Sequence, residues 1–318
     1  MIFLSVFISI LTTLAIFLGI NRAFKKKKGR SLWKVLKGFL SETGTGKKVL
    51  SIMLIFLIVI TSILGVYNLS NRCLFLNSTT GSHEWRKSND QAYLHVKADS
   101  HYDLGYHTGF ALGGKILYMK SILKVASVMY GADYFTFLSL SKDFLPYIPE
   151  KYQEELSGMS DGAITSTGFH ISFEDILFQA LFFEVIYGRY NPTTEAPFGC
   201  TAFGSLNEDG TVLIGQNMDL FKPMGAAGSF VLHELQDKKP VFTYRLGGCP
   251  ALPMGKNEKV SITLNLVQIT EKAPLTRPNF VRVREGLERA RDAETLKDYL
   301  LLEANCPFGA NFLIEDGH

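Results

Sequence analysis

Three residues in the stretch APFGCTAFGSLNEDGTVLIGQNMDL, residues 196–220, have the types and spacing for covalent chemistry: Cys200, Asn217 and Asp219. CTAFGSL and TVLIGQNMDL read as two strands joined by the turn signal NEDG, the pattern of a β-hairpin. If Asp209 and Gly210 form a two-residue turn, Glu208 faces Thr211 and Cys200 faces Asp219. A four-residue turn over 207–210 instead places Cys200 opposite Asn217. These registers differ by two, so either one predicts Cys200, Asn217 and Asp219 on one face of the hairpin.

A cysteine needs a nearby base to become a thiolate, since its ordinary pKa is about 8.5. No histidine lies close to Cys200 in sequence. A cysteine released as a new N-terminus carries its own base, because an α-amino group titrates near pH 8. That amine can take the thiol proton and return one to a leaving amine. Asp219 would hold the amine in position and Asn217 would offer an amide donor. Gly199, just before the cysteine, leaves its carbonyl unobstructed to thiol attack and permits unusual backbone angles. The competing reading is a buried structural cysteine beside an aspartate that merely ends a strand.

The elements that must position these residues are legible on both sides. Gln91–Lys97 alternates as a strand, and residues 100–131 read mainly as helix. YIPEK, residues 147–151, is a break, and EELSGMSDGAITSTG is a short helix with a glycine-rich exit. Ser172 caps the helix SFEDILFQALFFEVIYG, with Asp175 at the third helical position. Its apolar residues recur at helical spacing and predict a broad buried face. RYNPTTEAPFG is a linker. After Gly199 the texture becomes strand-rich: GSFVLHELQ, PVFTYRL and KVSITLNLVQ follow the hairpin. RVREGLERARDAETLKDYLLLEA reads as one or two helices, and NFLIEDGH as a strand whose return partner is not in the sequence. That ending predicts a truncated C-terminus.

The net charge of +3 hides an asymmetry. Between Asn21 and Lys48 the chain carries ten basic residues against one acid, Glu42, so everything from Val49 onward sums to −6. A nucleic-acid binder would carry its excess on the folded domain. Here the basic loop is flanked by two apolar runs, residues 1–20 and 49–69. Twenty apolar residues in a helix span about 30 Å, the thickness of a bilayer core. The expectation is two membrane spans with the basic loop, residues 21–48, on the cytoplasmic side. Everything beyond about residue 70 then lies outside the cytoplasm. SLWKVLKGFL within the loop reads as a short helix on the inner membrane surface. The four cysteines (Cys73, Cys200, Cys249, Cys306) and seven histidines show no metal-ligand spacing, and the sequence calls for no cofactor. A Cys249–Cys306 disulfide stays open.

GCTAFGSLNEDGTVLIGQNMD resembles the start of the mature β-chain in N-terminal-nucleophile (Ntn) hydrolases. It is most similar to the acyl-coenzyme A:aminopenicillanate acyltransferase family, with choloylglycine (bile-salt) and penicillin V hydrolases as more distant relatives. Upstream, YDLGYHTG and EELSGMSDGA…ISFEDIL resemble that family's pro-segment, so the similarity covers most of residues 95–318. It implies an α+β fold of the αββα sandwich type and self-cleavage between Gly199 and Cys200. Cys200 would be the nucleophile and Asp219 its aspartate. The glutamine at Gln216 resembles the acyltransferases, where bile-salt hydrolases favour arginine. Two features depart from the pattern. The family's oxyanion-hole asparagine would lie beyond His318, and GKNEKVSITLN lacks the glycine expected before its strand.

These readings divide the chain into a membrane hairpin (1–70), a mainly helical pro-segment (71–199) and a strand-rich segment (200–318). The function they imply is a membrane-anchored, self-cleaving cysteine amidohydrolase or acyltransferase acting on amide-linked acyl groups through a thioester. Its partners would be a small acyl-amide substrate and the lipid bilayer, with no nucleic acid. Two alternatives remain: an inactive binding ectodomain of the same fold, and an amidase for N-acyl lipids.

Overall fold

The computed structural model describes residues 79–190, 199–252, 254–267, 275–302 and 309–317. Both apolar runs, the basic loop, the boundary at residue 70, the segment 191–198, Cys73 and Cys306 lie outside these residues. Among the described residues no helix is long and apolar enough to cross a membrane.

The fold is α+β. Strand β1 (Ser82–Ser88) pairs antiparallel with β2 (Gln91–Ala98). Helix α1 (His101–Met129) starts at Ser100, whose hydroxyl accepts the Asp103 N–H, the ordinary device for satisfying a helix start. Helices α2 (Tyr134–Lys142) and α3 (Glu150–Thr167) follow, and α3 ends at Gly168 in the left-handed conformation. Helix α4 (Phe173–Ala180) carries the expected capping box, with Ser172 and Asp175 bonded reciprocally. The sequence predicts one continuous helix beyond it; the chain instead widens into a π-helical turn over Glu184–Tyr190.

Next comes the hairpin of β3 (Gly199–Leu206) and β4 (Val212–Asp219), a two-stranded sheet of its own. A short helix, α5 (Lys222–Gly225), leads into β5 (Gly228–Leu235) and β6 (Val241–Leu246). The two-residue β7 (Gly255–Lys256), β8 (Ser261–Val267), α6 (Asn279–Arg289), α7 (Ala293–Leu301) and β9 (Gly309–Glu315) complete the order. The large sheet runs β1-β2-β5-β6-β7-β8-β9. Only β2 and β5 are parallel, so strands from before and after the hairpin share one sheet. Strand β9 is an edge strand of this sheet, and all seven of its residues pair with β8.

Strand alternation gives this sheet two faces. Leu94, Val96 and Val231 point into a core built with α1, α3 and α4. Val241 and Ile262 pack with Val283 and Leu287 of α6 in a second cluster. Helices α1 and α3 touch backbone to backbone. A Cβ at Gly105 would fall 1.9 Å from the Glu155 carbonyl oxygen, and one at Gly158 would fall 2.1 Å from that of Tyr102. The glycines in YDLGYHTG and EELSGMSDGA therefore let two helices approach closer than any side chain permits.

A charge cluster is buried where these layers meet. Glu155 on α3 accepts two hydrogen bonds from Arg284 of α6, at 2.8 and 3.1 Å. Arg245 of β6 lies 3.6 Å from the same carboxylate, and His101 Nδ1 lies 3.2 Å from it. Burial alone would raise the Glu155 pKa, but Arg284, then His101 and Arg245, hold it well below the usual range.

Candidate active site

The hairpin loop decides the geometry. Gly210 N–H donates to the Asn207 carbonyl at 3.0 Å, and Asn207 N–H donates to that of Thr211 at 2.9 Å. Gly210 has φ +82°. This is a three-residue loop, a tight turn followed by a left-handed glycine. The Asp209 carboxylate accepts from the Thr211 N–H and hydroxyl, at 2.9 and 2.6 Å, and braces it.

Three loop residues put Asn207 opposite Thr211, so the register falls between the two that the sequence suggests. Cys200 faces Met218, Thr201 faces Asn217 and Gly199 faces Asp219. A shift of one residue moves a side chain to the other face. The expectation that Cys200, Asn217 and Asp219 share a face is therefore corrected. Cys200 lies on the inner, half-buried face with Ala202, Gln216 and Met218, whereas Asn217 and Asp219 lie on the exposed outer face.

The inner face packs on β8 and β9. Gln216 grips β8 at both ends of its amide: its Nε2 donates to the Leu264 carbonyl, and its Oε1 accepts the Leu264 N–H at 3.3 Å. An arginine has no acceptor and could make only half of this clamp. Beyond Leu264, toward the Cys200 end of the hairpin, comes Asn265, whose buried Oδ1 has no hydrogen-bond partner. The sequence reading missed this amide. Its signal is the alternation SITLN, in which Ser261, Thr263 and Asn265 fall on the face opposite Ile262 and Leu264. At the turn end of the hairpin, a cavity of about 280 Å³ opens between Val212, Ile214, Phe230, Phe242, Tyr244 and Thr263. Gly204, the partner of Ile214, is four residues from Cys200, or about 14 Å along the strand.

Although Asp219 turns away from the Cys200 side chain, it stands beside the Gly199–Cys200 peptide bond. Its Oδ2 would lie 3.3 Å from a Cβ at Gly199, so the carboxylate rests over the bare α-carbon. Asn217 Nδ2 donates to Asp219 Oδ1 at 2.8 Å and fixes its orientation. The pair thus flanks Gly199 on the face opposite the Cys200 side chain. Cys200 is a free, half-buried thiol, and Cys249 is a free, fully buried one. Burial pushes the Cys249 pKa up to about 12, which leaves it unreactive.

No family model matches the chain. An uncharacterized protein of Archaeoglobus fulgidus is 26% identical, over 42% of this chain and 25% of its own length. The match thus spans about a quarter of that relative and brings no activity with it.

Proposed function

We propose that the chain is an N-terminal-nucleophile cysteine enzyme, a self-cleaving amidohydrolase or acyltransferase acting on amide-linked acyl groups. The observation that carries this reading is the Asn217–Asp219 pair poised over Gly199, beside the bond whose scission would make Cys200 an N-terminus. In the precursor the Cys200 thiol attacks the Gly199 carbonyl carbon. The C–N bond breaks, the nitrogen of residue 200 takes the thiol proton, and water hydrolyses the resulting ester to free the thiol. The released amine, held by the Asp219 carboxylate, then serves as the base for the same thiol.

In turnover the thiol attacks a substrate amide, the amine of residue 200 protonates the leaving nitrogen, and an acyl thioester remains. Water or an acceptor amine resolves it. The seven-stranded sheet, with helices packed on its Leu94 and Val231 face and the β3–β4 hairpin near Phe230 and Phe242, supports an Ntn-type αββα sandwich. The apolar run at residues 1–20, the run at 49–69 and the basic loop between them support a membrane-anchored enzyme with this domain outside the cytoplasm.

The test is capture of the thioester. The protein is incubated with a panel of N-acyl amides, quenched in acid and analysed by peptide mass. The expected result is an acyl adduct on the Cys200 peptide that is absent in Cys200→Ala. Absence of both turnover and adduct across aliphatic and aromatic acyl groups would remove the proposal.

A further inference from the structure

Away from the hairpin, β1 and α1 bring two imidazoles together. His83 is the only residue of β1 that is half-buried; the others are exposed. Its Nδ1 lies 3.1 Å from Nδ1 of His107 on α1. His107 Nε2 donates to the carbonyl of Thr80 at 3.2 Å. Thr80 is itself fixed, since its N–H and hydroxyl donate to the two carboxylate oxygens of buried Asp103, at 3.2 and 2.9 Å. The proton of His107 therefore sits on Nε2, and the Nδ1 lone pair points at His83. Phe110 packs against the His83 ring, with centroids 5.3 Å apart.

This is the arrangement that supports a metal ligand: one ring nitrogen exposes a lone pair while the other is held by a carbonyl backed by a carboxylate. The nitrogen separation fits as well. Two nitrogens bound to one ion at about 2.0–2.1 Å lie roughly 2.9 Å apart at a right angle and roughly 3.4 Å apart at a tetrahedral angle. The observed 3.1 Å falls between. Without an ion, the same contact is a hydrogen bond in which His83 Nδ1–H donates to His107; ring centroids 5.3 Å apart set the two Nδ1 atoms nearly head-on, so ion binding turns both rings until their lone pairs converge.

We propose that His83 and His107 chelate one divalent transition-metal ion of the copper(II), nickel(II) or zinc(II) class, and that the ion clips β1 to α1. Both Nδ1 atoms bind the ion, the proton of His83 moves to its Nε2 through solvent, and no net proton is released. Among the described residues no third histidine, cysteine, aspartate or glutamate completes a cluster, so water takes the remaining positions. Affinity across such a nitrogen site follows copper(II) above nickel(II) and zinc(II). The two histidines are 24 residues apart, a separation that no sequence motif marks.

The full chain, free of any affinity tag and stripped with chelator, is titrated with nickel(II) chloride by calorimetry. The expected result is one saturable equivalent, weakened more than tenfold in both His83→Ala and His107→Gln. The first variant changes a strand whose other residues are exposed, and the second keeps a donor for the Thr80 carbonyl. Hydrogen exchange of β1 amides in the unaltered chain gives a readout independent of any variant, and nickel should slow it. A missing one-equivalent event, undiminished affinity in either variant, or unchanged β1 exchange would each overturn the proposal.

Discussion

In the proposed chemistry Asp219 is the residue that holds the freed amine. Its carboxylate lies over Gly199 and is steadied by Asn217, next to the bond whose scission the proposal requires. Asp219→Asn keeps the shape and removes the charge. Because the side chain is exposed, stability should change by no more than about 0.5 kcal/mol, while uncleaved precursor accumulates. Gel mobility of the variant beside the parent, with thermal unfolding of both, checks the two halves together. A variant that cleaves at the parental rate would remove Asp219 from the chemistry. At this scale the sequence picks out candidate residues but not how they face. Cys200, Asn217 and Asp219 stand out by type and spacing. The side to which each points depends on whether the loop holds two, three or four residues, and NEDG admits all three.

Among the elements, most strands and helices were readable because their patterns are strong. The alternation of Gln91–Lys97, the capping box at Ser172 and the paired helices near the C-terminal end appear where expected. Strand β1 was not, because it buries only one face at one position, so HEWRKS shows no period of two. The π-helical turn also escaped notice, since FFEVIYG continues an apolar helical pattern without a breaker. The α1–α3 contact is the most demanding element interface. Gly158→Ala would set a methyl group against backbone that has no rotamer to yield, and should cost at least about 1–3 kcal/mol by overpacking. Urea unfolding of the variant measures this. A loss under about 0.5 kcal/mol, the size of an ordinary surface substitution, would mean that the helices part more easily than their spacing suggests.

For the whole molecule, residues Thr79–His318 gather into one compact unit, and its buried charges tie stability to pH. Glu184, in the π-helical turn, is fully buried, and desolvation pushes its carboxyl up to about 7 against an ordinary 4.5, although it accepts the Asn279 N–H at 3.0 Å. Between those values the folded chain keeps a proton that the unfolded chain has released. Stability from this group is therefore greatest below pH 4.5 and falls as pH rises to about 7, by roughly 3 kcal/mol in all. Glu184→Gln removes the titrating proton and should flatten this part of the profile. Denaturant midpoints at several pH values from 4.5 to about 7 read it directly, and an unchanged slope would contradict the assignment. Such long-range pairings lie beyond sequence patterns, since Glu184 meets Asn279 across 95 residues and Glu155 meets Arg284 across 129.

N-terminal sequencing of the cleavage products tests the central claim most directly. The account predicts a single new terminus, Cys-Thr-Ala-Phe-Gly, from a bond that stays intact in Cys200→Ala. An uncleaved chain in the parent protein, or a terminus at any other residue, would contradict it.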